Sequence, residues 1–154
     1  MRERPSWTDW AFALMDVVAT RSEDPHTQVG CVILDTKGRI VSVGYNGLPR
    51  GLSTRDFPLD DRPEKYAHVV HADLNAILNG ERHRLEGATM YLPFPPCADC
   101  AQAIIQAGIG KVIYRAVYRS QADDARQDLA KSMLEAAQIP CFRPTYYEEI
   151  MANE

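Results

Sequence analysis

Apolar residues recur every three or four positions after Ser6, with Trp10, Ala13, Leu14, Val17 and Val18 on one face, so the spacing predicts a helix from Trp7 to Arg21 capped by Ser6. The period then changes. Val29 to Leu34 and Arg39 to Val43 are β-branched apolar runs separated by the turn Asp35-Thr36-Lys37-Gly38, which predicts a hairpin. Gly44 to Pro63 follows neither period and is rich in Gly, Pro, Asp and Arg, so it reads as a long surface loop, a feature usually tied to function. Helical spacing returns from Tyr66 to Asn79, with Gly80 as its stop.

Thr89 to Leu92 reads as a short strand, Phe94-Pro95-Pro96 forces a turn, and Cys97 to Ala107 is apolar at helical spacing. Lys111 to Ala116 is a further strand, Asp124 to Ala137 an amphipathic helix through Leu129, Met133 and Leu134, and Pro140-Cys141-Phe142 opens a last short strand. The tail from Tyr146 to Glu154 stays open between a short helix and a frayed end. The order α-β-β-α-β-α-β-α-β predicts an α/β fold, a three-layer α/β/α sandwich around a central mixed sheet of about five strands. No repeat, low-complexity stretch or composition shift divides the chain, so 1–154 is expected to be a single domain.

Composition narrows the function. An apolar fraction of 45% with 25% charged residues is that of a globular chain. A formal charge of −4 offers no basic footprint for a polynucleotide, although a single nucleotide phosphate remains open. Met1 to Trp10 alternates charge with aromatics and no apolar run reaches spanning length, so no membrane partner and a cytoplasmic location are expected.

Of the four cysteines, Cys31 and Cys141 sit in apolar segments as small core residues, whereas Cys97 and Cys100 form a C-x-x-C. In a reducing compartment such a pair is metal-binding or redox-active rather than a structural disulfide. His71, with Asp73 two positions on, supplies a third ligand and an acid/base: one imidazole and two thiolates are the three protein ligands of a catalytic zinc site that keeps a position for water. The start of a helix also favours thiolates through its unpaired amides and dipole. Two rival readings stay open. One is a redox pair, which leaves His71 unexplained; the other is a four-ligand structural site completed by His68 or His83.

Four separated blocks carry a resemblance: Asp24-Pro25-His26-Thr27-Gln28-Val29-Gly30, Gly44-Tyr45-Asn46-Gly47-Leu48-Pro49-Arg50-Gly51, His71-Ala72-Asp73-Leu74-Asn75-Ala76-Ile77, and Pro96 to Cys100 followed by Ile104 to Ile109. Together, from about Ser22 to Phe142, the chain resembles the deoxycytidylate deaminase branch of the zinc-dependent cytidine deaminase superfamily, whose signature is H-x-E…P-C-x-x-C. The resemblance implies a cytidine deaminase-like fold, a zinc cofactor and hydrolytic deamination of a cytosine nucleotide, dCMP to dUMP with release of ammonia. It implies His71, Cys97 and Cys100 as metal ligands, and Asp73 as the proton carrier where the family has glutamate. It also implies substrate contacts from His26 and Thr27, where the family reads Pro-Asn-Thr or Pro-Asn-Ser, from Asn46, and from Tyr118, which matches a tyrosine near the substrate. The partner expected is a small-molecule nucleotide or nucleobase, and the chain is expected to form a homo-oligomer.

The departures matter. Aspartate is one methylene shorter than glutamate, about 1.5 Å less reach, and misplacement on that scale costs on the order of a hundredfold in rate. Asp73 therefore marks an adjusted deaminase, a weakened or engineered variant, or a nucleotide-binding relative without turnover. His26, together with His68 where the family has an aromatic ring, keeps another aminated pyrimidine or heterocycle open as substrate. Leu52 and Thr54-Arg55 depart from the block that forms a regulatory triphosphate pocket in allosteric members, which speaks against such regulation.

Overall fold

The first helix forms where its cap predicts. In a computed structural model that describes residues 3–117 and 124–146, Ser6 Oγ accepts the Asp9 N–H at 3.0 Å and α1 runs over Trp7–Ala19. β1 (Gly30–Leu34) and β2 (Ile40–Tyr45) form the antiparallel hairpin. Its turn is closed by the Asp35 carboxylate, which accepts the Lys37 and Arg39 N–H groups at 2.9 Å each. β3 (Thr89–Leu92), β4 (Lys111–Tyr114) and β5 (Cys141–Phe142) complete a five-stranded sheet in the order β2-β1-β3-β4-β5. β1 is antiparallel to both neighbours, while β3, β4 and β5 run parallel, so the sheet is mixed as expected.

Alternation along the strands separates two apolar clusters. Val32, Leu34, Tyr91 and Ile113 pack with Ala11, Phe12 and Met15 of α1 on one face. Cys31, Ile33, Met90, Leu92 and Val112 point to the other face. There they meet Ala72 and Ala76 of α3 (Ala72–Asn79), Ala101 and Ile104 of α5 (Ala98–Ala107), and Ala130 and Leu134 of α6 (Asp124–Ala136). The result is the three-layer sandwich. Cys31 and half-buried Cys141 are core thiols, with burial pushing both above the ordinary thiol range, Cys141 to about 11. No helix among the described residues is long and apolar enough to cross a membrane.

The structure corrects one boundary that matters for the site. The helix expected over Tyr66–Asn79 is two helices, α2 (Arg62–His68) and α3, and the loop expected to reach Pro63 ends earlier, because Pro63 lies in the first turn of α2, where a missing N–H costs nothing. Between them Val70 exchanges two backbone hydrogen bonds with Gly47, at 2.9 and 3.2 Å, which draws the β-branched Val69-Val70 pair out of helical geometry. A further short helix, α4 (Arg82–Leu85), was not anticipated. The tail beyond Tyr146 lies outside the described residues.

Candidate active site

Because the chain breaks after Val70, His71 becomes the N-cap of α3 instead of an interior helix residue, with extended backbone at φ −68° and ψ 154°. Cys97 is likewise the N-cap of α5, at φ −77° and ψ 172°. The two helix starts converge: His71 Nδ1 lies 3.5 Å from Cys97 Sγ and 3.4 Å from Cys100 Sγ, and the three ligand atoms are all within 4.8 Å of one another.

α3 is held at this height by its contact with β2. A Cβ on Gly44 would lie 2.3 Å from Ala76 N and 2.4 Å from Ala72 O, so only glycine lets the helix backbone approach so closely. Side chains fasten the contact: Ser42 Oγ donates to Ala76 O at 2.7 Å, and Asn75 Nδ2 to Tyr45 O at 2.7 Å. Sequence reading linked the Gly44–Gly51 block to nucleotide binding, yet Gly44 serves packing.

The donor set asks for a cation. A hydrogen bond from the Cys100 thiol, helped by His71, pulls Cys97 down to about 4 against the opposing effect of burial. The same bond and burial push Cys100 up, and the Cys97 sulfur raises His71. A divalent ion held between the two sulfurs would let both ionise. One imidazole and two sulfurs fit zinc, and three ligands match the catalytic pattern rather than the closed structural one. The rival fourth ligands lie elsewhere. His68 Nδ1 bonds Glu64 O at 2.7 Å and its ring sits 4.7 Å from that of Phe57, while His83 is exposed beside Glu81. Among the described residues, His71, Cys97 and Cys100 form the one such cluster, and all four cysteines are free thiols.

His71 and Cys97 line a cavity of about 550 Å³ at the carboxyl end of β3, walled there by Leu92, Pro93 and Phe94. Asp73 lines it too, buried one residue inside α3. Burial raises its carboxyl above the ordinary range, against hydrogen bonding from Cys100 and the charge of His71, and its Oδ1 accepts the Leu74 N–H at 3.0 Å. Thr27 and Asn46 line the cavity, but Asn46 is committed to the protein: its Oδ1 accepts the Val29 N–H at 2.8 Å and its Nδ2 donates to Thr27 O at 2.9 Å. His26 is exposed and does not line the cavity, and Tyr118 lies outside the described residues. Sequence reasoning passed over the ion pair of Lys65 with Asp24, and Arg126 of α6, paired with Asp99. No local pattern signals the first, because Lys65 follows Glu64 in a charged stretch and looks like a solvated residue.

Residues 5–116 match the family described as the cytidine and deoxycytidylate deaminase zinc-binding region. A probable deoxycytidylate deaminase of Drosophila melanogaster is 39% identical over 148 residues, covering 90% of this chain and 72% of its own length. The deoxycytidylate deaminase of Homo sapiens is 40% identical over 124 residues, covering 77% and 70%. The apo crystal structure of dCMP deaminase from the cyanophage S-TIM5 superposes with a TM-score of 0.68 at 22% identity, over 92% of this chain and 100% of that one, so the two share a fold. With the match covering most of the chain and a zinc donor set converging at one cavity, this protein belongs to the cytidine and deoxycytidylate deaminase family of zinc-dependent hydrolases.

Proposed function

We propose that the chain deaminates dCMP hydrolytically to dUMP with release of ammonia, with His71, Cys97 and Cys100 holding zinc and Asp73 carrying the proton. The observation that supports this most is the convergence of the three metal donors, with His71, Cys97 and the buried Asp73 carboxylate lining one cavity. Similarity to curated deoxycytidylate deaminases points to the base and sugar. A nucleotide phosphate fits Arg126 in the cavity wall, whose exposed guanidinium has the fork that matches phosphate oxygens.

Zinc, when bound, makes water a nucleophile near neutral pH. Asp73 does the proton work. Leu74 N–H fixes Oδ1, leaving the other carboxyl oxygen to take a proton from water and pass it to the ring nitrogen, then to take the second proton from the hydroxyl added to the ring carbon and pass it to the departing amine. A buried carboxyl with a raised affinity for protons suits both halves of that exchange. Pro93, Phe94, Pro95 and Pro96 offer an apolar wall against which an aminopyrimidine ring can lie. The test is ammonia release by zinc-loaded protein across a panel of cytosine nucleotides, nucleosides, free bases and other aminated heterocycles. Release that is fastest with dCMP supports the reading, and silence across the panel refutes it.

The reading extends to a homo-oligomer, as the resemblance to deoxycytidylate deaminases implies. Sedimentation equilibrium tests it, and a monomer at micromolar concentration rejects it. Four free thiols fit a reducing, cytoplasmic setting, and a net charge of −4 fits a small nucleotide rather than a polynucleotide.

A further inference from the structure

Lys65 is a lysine almost wholly enclosed in the wall of a ligand cavity. Its side chain is 8% exposed and that of Asp24 is 1% exposed, and Nζ lies 2.6 Å from Asp24 Oδ2. An enclosed ion pair is a poor source of stability, since an apolar pair of like volume does as well without stripping two charges of water. What distinguishes this pair is the geometry it fixes. Asp24 Oδ1 accepts the His26 N–H at 2.9 Å and the Thr27 N–H at 3.1 Å, folding the turn through Pro25, while Oδ2 takes Lys65 and, at 3.3 Å, Asn46 Nδ2.

One carboxylate therefore gathers the loop before β1, the end of β2 and α2. Lys65 also lies on the direct route to the metal histidine: Val69 N–H donates to Lys65 O at 2.9 Å, and Val70 and His71 follow. Thr27, Asn46, Lys65 and His71 all line the same cavity. We propose that Lys65, through Asp24, is a positioning residue for substrate, setting the Thr27 side of the cavity relative to the His71 side. The inference rests on the deaminase reading above.

The experiment uses the zinc-loaded full chain as wild type, Lys65→Met, Lys65→Arg, Asp24→Asn and the Asp24→Asn/Lys65→Met double variant. Ammonia release from dCMP gives kcat and KM, and each protein is scored for zinc content and Tm. Lys65→Met and Asp24→Asn are each expected to raise KM about tenfold or more while kcat changes by less than about threefold, and Lys65→Arg to recover most of the loss. The double variant is expected to raise KM no further than the worse single, although its Tm returns toward wild type because no charge is left enclosed and unpaired. A purely structural pair makes KM follow Tm. Recovery of KM together with Tm in the double variant, or KM unchanged in every variant, overturns the inference. If wild type is silent on the substrate panel, the deaminase reading fails instead, and the same comparison of variants is made on dCMP dissociation constants by titration calorimetry.

Discussion

At the scale of single residues, the proposed chemistry turns on Asp73. Its Oδ1 is anchored by the Leu74 N–H, and the side chain is one methylene shorter than the glutamate of the family signature. Asp73→Asn keeps the shape and removes the proton carrier, so kcat is expected to fall by about a hundredfold or more while zinc content stays at wild type. Asp73→Glu extends the carboxylate into the cavity and is expected to raise kcat about tenfold to a hundredfold. Ammonia release paired with metal analysis reads both variants, and a kcat unaffected by Asp73→Asn removes Asp73 from the mechanism.

Asp24 gives a prediction of a different kind. Burial pushes its carboxyl up, yet the Lys65 ammonium and the His26 and Thr27 N–H groups outweigh this and hold it below the usual carboxylate value. A depressed folded-state pKa stabilises the fold above the unfolded value and loses that contribution as pH falls through the folded value. Wild type should therefore lose stability to urea as pH drops below about 4, and Asp24→Asn should be weaker at neutral pH but lose less over the same acid range. Parallel pH profiles for the two proteins would assign the acid limb to other carboxylates.

Among the elements, the sequence was most legible where one period runs uninterrupted. The apolar face of α1, the β-branched hairpin and the C-x-x-C at the head of α5 are local patterns, and each appears within a residue or two of its expected place. The helix through His71 failed for a reason no local pattern carries: Val70 leaves it to pair with Gly47, a long-range bridge. The candidate site was readable because its residues fall in two short segments, His71 with Asp73 and Cys97 with Cys100. The Asp24–Lys65 pair was hidden because its members come from separate segments and only tertiary packing encloses them. Gly44 joins the two kinds of information, since a glycine in a strand can signal close backbone approach. With Ala76 N at 2.3 Å from a would-be Cβ, Gly44→Ala is expected to push α3 off the sheet. Overpacking of this kind costs about 1–3 kcal/mol. Because α3 carries His71 and Asp73, zinc affinity and kcat should fall together with Tm, and a Gly44→Ala protein with wild-type Tm and zinc affinity would show that the contact has slack.

For the molecule as a whole, the two faces of the sheet do different work. Among the described residues, the α1 face is closed by Phe12, Met15, Leu34 and Tyr91 without a metal-ligand cluster, whereas the opposite layer supplies His71 from α3 and both thiols from α5. A metal there cross-links two helix starts of one layer. A ligand that binds only the folded state adds about 3 kcal/mol at a free concentration a hundredfold above its dissociation constant, which for a chain of this size is about 5–10 °C in Tm. Chelation should lower Tm by that amount, abolish ammonia release, and be reversed by added zinc. The layered architecture predicts where the loosening falls. Backbone amides of Asn75 and Ala101, which bond to His71 O and Cys97 O, should exchange faster with solvent after chelation, while those of β1 and the Phe12–Met15 turn of α1 keep their protection. Equal loss of protection on both faces would mean that the metal holds the whole core, not the seam between α3 and α5.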